Sequence, residues 1–385
     1  GGMSTTVALP SEEQIRTALT RVQDPEIKRP ITELGMLKGV DVEPDGKVQV
    51  GVYLTVSGCP LKATIVKDVT EAVSTVDGVT DVNVDLDVMS DEQRQELKTQ
   101  LRGGRPEKEI PFARSDSLTR VYAVASGKGG VGKSSVTANL AAAMAQNGLT
   151  VGVIDADIYG HSIPRMLGVD GQRPTVVDEV IMPIPAHGVK VISTEMFKPD
   201  RNEPVAWRGP MLHRALQQFM VDVYWGDLDV LLLDLPPGTG DVAISLAQLL
   251  PHAELLVVTT PQLAAAEVAE RAGSIAMQTH QRIAGVIENM SYLQMPGSGE
   301  RMELFGAGGG RRVAEGLSAR VGGSVPLLGE IPIEVQLRES GDRGEPLVLE
   351  QPELPAAAAL QDIAKQIGSR QRGLSGMSLS VSPTG

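Results

Sequence analysis

The run Gly127-Lys128-Gly129-Gly130-Val131-Gly132-Lys133-Ser134 constrains this chain more than any other stretch. It is a phosphate-binding loop, and such a loop belongs between a buried strand and the helix that follows it. Both neighbours are legible. Residues 120–125 read Arg-Val-Tyr-Ala-Val-Ala, a short apolar run that predicts a buried strand. Residues 134–146 are alanine-rich, lack Gly and Pro, and stop at Asn147-Gly148, which predicts a helix. The glycines let backbone N–H groups turn toward phosphate oxygens. Lys133 is placed to reach β- and γ-phosphates, and the Ser134 hydroxyl to hold Mg2+. Lys128 is the unusual member. Two ammonium groups in one short loop repel unless a polyphosphate lies between them or one points elsewhere.

Composition narrows the partners. The net charge is −13 over 385 residues, and the acidity is spread along the chain. Sequence-independent nucleic-acid binding needs a cationic footprint, so no nucleic-acid partner is expected. No apolar run approaches the ~18 residues of a membrane span, and no secretory signal is visible. Gly1-Gly2 ahead of Met3 reads as a cloning remnant. The single cysteine, Cys59, permits no intramolecular disulfide. A cytoplasmic location without a membrane partner is the expectation.

The chain reads as two domains. Residues 3–98 predict a small α+β domain. Ser11-Glu12-Glu13-Gln14 is a capping box, residues 48–56 alternate as a half-buried strand, and residues 36–42 are its hairpin partner. A helix over 61–76, a strand over 82–88 and a short charged helix complete it. Residues 99–117 read as a linker. From 118 to 370, strands at 120–125, 150–154, 189–193, 228–233, 254–259, 283–287 and 325–328 alternate with helices. That pattern predicts a doubly wound, mostly parallel α/β sheet. Residues 371–385 read as a disordered tail.

Several carboxylates fall where phosphoryl transfer needs them. Asp234 closes an apolar strand, a position from which a carboxylate supports Mg2+. Pro236-Pro237-Gly238-Thr239-Gly240-Asp241 follows it, a turn suited to sensing the γ-phosphate. Asp155 and Asp157 lie at another strand end. Asp157 is a candidate to orient or activate the attacking water, and Asp155 to support Mg2+ through water. Helix capping is the alternative for one of the two. Ser135 extends the loop, and Asn289 can present donor and acceptor to an adenine edge or simply close a turn. Arg208 is a candidate catalytic or interface cation, with a surface arginine as its alternative. Cys59, between a strand and a helix start, is a reactive thiolate, a metal ligand or a small buried turn residue.

Together the segments 128–134, 155–160, 233–241 and 288–291 resemble the Mrp/ApbC group of P-loop ATPases, relatives of MinD, ParA and the nitrogenase iron protein. Residues 328–332, 338–342 and 344–346 match the same group. Asp24-Pro25-Glu26, Leu34-Gly35-Met36 and residues 55–60 resemble the SufT-like domain of iron–sulfur assembly proteins. The resemblance implies an ATP-hydrolysing homodimer that binds iron–sulfur clusters and passes them to apoprotein clients. It implies that Lys128 reaches the partner subunit's nucleotide and that Asn289 binds the base. It also implies a Cys-x-x-Cys after Glu288-Asn289-Met290-Ser291, yet residues 292–305 hold no cysteine. A [4Fe–4S] cluster is normally held by four thiolates. Either Cys59 contributes to a labile cluster, or this branch serves assembly without a cluster of its own. The alternatives are a MinD/ParA-like positioning ATPase, which would want a basic amphipathic C-terminal helix, and a nucleotide-dependent scaffold.

Overall fold

Helix α1 (Glu12–Leu19) starts at the predicted capping pair: the Gln14 N–H donates to Ser11 Oγ at 3.1 Å, and the Ser11 N–H to Gln14 Oε1 at 2.9 Å. The computed structural model describes residues 8–55, 62–101, 110–114, 116–157, 162–197, 209–238 and 240–369. Cys59 and Arg208 lie outside them. The chain divides into two compact units, Gly1–Lys108 with Thr175–Met182, and Glu109–Pro174 with Pro183–Gly385.

In the first unit, strands β1 (Leu37–Val42), β2 (Lys47–Leu54) and β3 (Asp81–Val88) form a sheet in that order. The β1–β2 pair is the expected antiparallel hairpin, and β3 joins β2 in parallel. Alternation along β2 buries Val48, Val50, Val52 and Leu54. Helix α1 and helix α2 (Lys62–Ser74) contribute Ile15, Leu19, Ile65, Val69 and Val73 to the same core. Helix α3 (Asp91–Leu101) follows.

In the second unit, β4 (Arg120–Ala125), α4 (Lys133–Gln146), β5 (Val151–Asp155) and α5 (Ser162–Met166) come first. The chain then forms a small hairpin of β6 (Val176–Val177) and β7 (Val180–Ile181), which packs with the first unit although it falls between two stretches of the second. Its turn residues Asp178 and Glu179 have φ of 50° and 69°, and the Lys98 ammonium pairs with Glu179. Strands β8 (Ile184–Ala186) and β9 (Val189–Ser193), helix α6 (Gly209–Val221), β10 (Val230–Asp234), α7 (Gly240–Leu249), β11 (Glu254–Thr259), α8 (Ala265–Thr279) and β12 (Ile283–Glu288) follow. The unit closes with the hairpin β13 (Leu293–Gln294) and β14 (Arg301–Met302), α9 (Gly309–Val321), β15 (Leu327–Glu330), α10 (Val335–Asp342), α11 (Leu347–Glu350) and α12 (Pro355–Ser369).

Eight of these strands form one sheet, ordered β15-β12-β11-β4-β10-β5-β9-β8. All neighbours are parallel except β8–β9. This is the doubly wound, mostly parallel sheet that the sequence predicts. β5 and β10 are buried at every residue, as strands covered on both faces must be. The β8 edge, which carries Pro185, was not predicted; proline is tolerated there because an edge strand can spare an N–H. Helix α12 packs on α4, with Leu360, Ile363 and Ile367 fully buried. Its apolar face is therefore spent inside the unit.

Strand order places the chemistry. β4 lies at the centre between β11 and β10, and β10 separates it from β5. Asp234 is in register with Val124 on one side and with Asp155 on the other. The glycine loop leaves β4 at the same edge of the sheet as both carboxylates. Ligands of such sheets bind beyond the carboxyl ends of the strands.

Candidate phosphate-binding site

The loop acquires its shape from two left-handed residues, Gly130 at φ 78° and Gly132 at φ 76°. Gly132 is also the N-cap of α4, so the loop's N–H groups and the positive end of the helix coincide. The loop lines a cavity of about 340 Å3, together with Ser126, Asp157, Ser162, Met166 and Pro237. The turn after β10 closes against the loop: the Gly238 N–H donates to the Ser126 carbonyl at 2.9 Å.

The two lysines part company. Lys128 is exposed, at the rim of the cavity. Lys133 is only 5% exposed, and its ammonium pairs with Asp234 and lies 3.6 Å from Asp157 Oδ2. The Ser134 hydroxyl donates to Asp234 Oδ2 at 2.6 Å. The Thr137 hydroxyl donates to the Lys133 carbonyl at 2.9 Å and lies 3.4 Å from Asp234 Oδ1. Thr137 escaped the sequence reading, although its place one helical turn after Lys133 is the signal that could have found it.

Asp155 is fully buried and accepts two backbone N–H groups, from Asp157 at 3.0 Å and Ile163 at 3.2 Å. Both Asp155 oxygens are thereby engaged by backbone N–H groups. Burial, and next the charge of Asp234, hold the Asp155 carboxyl well above the usual carboxylate range. Burial also raises Asp234, against the opposing pull of Lys133 and Ser134. The one buried ammonium therefore serves two carboxylates, Asp157 and Asp234, with Asp155 in register beside Asp234. That excess of hard oxygen donors suits a divalent cation of the Mg2+ kind. Among the described residues there is no group of three or more His, Cys, Asp or Glu able to cage a metal unaided. Mg2+ commonly completes its shell with waters and substrate phosphates.

Ser135 lines the cavity, and its hydroxyl faces the Met166 sulfur at 3.8 Å. Asn289 is brought to the loop from the end of β12, and its Nδ2 donates to the Val131 carbonyl at 2.9 Å. Beside it, buried Glu288 accepts the Gly310 N–H at the start of α9 and the Ser291 hydroxyl at 2.8 Å. Glu288 therefore caps a helix.

Two family descriptions match the chain: NUBPL iron-transfer P-loop NTPase (ParA) over residues 117–368, and iron–sulfur cluster assembly protein over residues 12–86. This chain belongs to the NUBPL iron-transfer P-loop NTPase family. Its relatives include the iron–sulfur cluster carrier protein of Mycobacterium bovis, 66% identical over 96% of both chains. That of Bacillus subtilis is 39% identical over 93% of this chain and 98% of its own. Among solved structures, a nucleotide-binding protein from Archaeoglobus fulgidus, in complex with ADP, is 36% identical. It covers 66% of this chain and 96% of its own, with a TM-score of 0.54. The two-domain resemblance read from the motifs is borne out. In this chain the assembly-type match, residues 12–86, precedes the NTPase match. No helix among the described residues is long and apolar enough to cross a membrane.

Proposed function

We propose that this chain binds and hydrolyses ATP with Mg2+ as a homodimer, and uses the cycle to pass iron–sulfur clusters to apoprotein clients. The observation that carries the nucleotide half is the buried Lys133 ammonium set between Asp157 and Asp234 beneath a glycine cradle. The cargo half is supported by relatives named iron–sulfur cluster carrier proteins that match this chain nearly end to end.

Loop N–H groups and the α4 terminus bind the polyphosphate, and Lys133 exchanges carboxylate for phosphate oxygens. Ser134 and Asp234, with Asp155 acting through water, are the residues that would hold Mg2+, which would supply neutralising positive charge to the phosphates. Asp157, at the cavity wall, orients the attacking water. Lys128 is exposed at the rim, where it is available to the nucleotide of a second subunit. Burial of Lys133 and exposure of Lys128 support a division of labour between the two.

The sole cysteine makes Cys59 the candidate thiolate for a labile cluster, two per homodimer. Anaerobic reconstitution with iron and sulfide tests this, comparing the wild type with Cys59→Ala. Iron uptake that disappears in the variant supports it. Uptake that survives removes Cys59 as a ligand, and a wild type that takes up no iron contradicts direct carriage.

A further inference from the structure

Asn289 has a place in the nucleotide site that does not involve a base. It is 3% exposed, and its backbone N–H donates to the Thr259 carbonyl at 2.8 Å, which fixes it to the end of β11. Its Nδ2 donates to the carbonyl of Val131, the residue between the two left-handed glycines of the loop. A peptide unit is planar and trans, so the Val131 carbonyl and the Gly132 N–H point in opposite directions. Pinning that carbonyl to Asn289 turns the Gly132 N–H to the other side. A reversed peptide would instead set a carbonyl oxygen among the phosphate-facing groups, where it repels an anion. The fit is close from both sides: a Cβ built on Gly132 would collide with Asn289 Nδ2.

We infer that Asn289 is a positioning residue for the phosphate loop, holding the Val131–Gly132 peptide in its anion-binding orientation whatever base the nucleotide carries. The inference rests on the phosphate-site reading above. It differs from the base-binding role that the resemblance implies, because a positioning role acts equally on a ligand that has no base.

The test is isothermal titration of the full chain with Mg2+-ATP and with Mg2+-tripolyphosphate, which has the phosphates alone. The wild type is compared with Asn289→Leu, a neutral replacement of similar size without the donor. Loss of this buried hydrogen bond is expected to weaken both ligands about tenfold, by factors that agree within about twofold. Asn289→Ala, measured alongside, is expected to show the same parallel loss if the leucine is poorly accommodated, and thermal melts confirm that each variant is folded. Weakened ATP binding with unchanged tripolyphosphate binding would overturn the inference and assign Asn289 to the base. Unchanged binding of both ligands would overturn it as well. A wild type that binds neither ligand would instead overturn the phosphate-site reading itself.

Discussion

Lys133→Met keeps the length of the side chain and removes the ammonium that compensates Asp157 and Asp234. Lys133 is 5% exposed and Asp234 fully buried, so neither charge is rescued by solvent. Removing one partner of a buried ion pair costs roughly 3–5 kcal/mol. For a unit of this size, that lowers the melting temperature by roughly 6–20 °C. The loss has a pH signature. Asp234 already holds its proton above the ordinary range because burial outweighs Lys133, and without Lys133 it holds it more tightly. A carboxyl whose folded pKa is raised gives stability that is fully present below the unfolded value of about 4 and is lost as pH rises through the folded value. The deficit of Lys133→Met relative to wild type should therefore be smallest near the unfolded value of about 4 and grow as pH rises above it. Trp225 is 3% exposed in the second unit, so melts followed by its emission report on the unit that holds the site. A melting deficit of equal size at pH 5 and pH 8 would refute the argument that an uncompensated carboxylate causes it.

Further outcomes follow from other contacts. Lys128→Ala should leave the melting temperature within about 2 °C, because exposed substitutions rarely exceed about 0.5 kcal/mol, yet abolish ATP turnover; retained turnover would sink the cross-subunit role. Gly132→Ala places a Cβ at φ 76° against Asn289. It should destabilise the second unit by about 1–3 kcal/mol and weaken tripolyphosphate binding in titration calorimetry. Ile363→Ala, in the fully buried face of α12, should cost about 2–5 kcal/mol in thermal or urea unfolding, with nucleotide affinity of the folded protein unchanged.

The sheet was legible because its strands are written as short, continuously apolar runs that only a two-sided parallel sheet accommodates. The loop was legible because a glycine pattern between strand and helix is local. The capping pair Ser11–Gln14 and the hairpin through Asp45-Gly46 were readable for the same reason. What escaped was long-range. The hairpin of residues 176–181 gives no local sign that it packs with the first unit. Nothing around Asn289 announces a carbonyl 158 residues away. Asp155 and Asp157 look equivalent in sequence, and only the fold hands two backbone N–H groups to the first and sets the second beside Lys133. The missing Cys-x-x-Cys was plain in the sequence, and Cys59 lies outside the described residues.

Asp157 carries the claim that the cradle is a hydrolytic site as well as a nucleotide clamp. The most direct measurement is phosphate release from Mg2+-ATP by wild type and Asp157→Asn, with ATP affinity determined on the same preparations. The account predicts affinity within a few-fold of wild type and turnover lowered at least about a hundredfold, the scale of a lost general base or water-orienting group. Turnover undiminished in Asp157→Asn, at equal ATP occupancy, would contradict it.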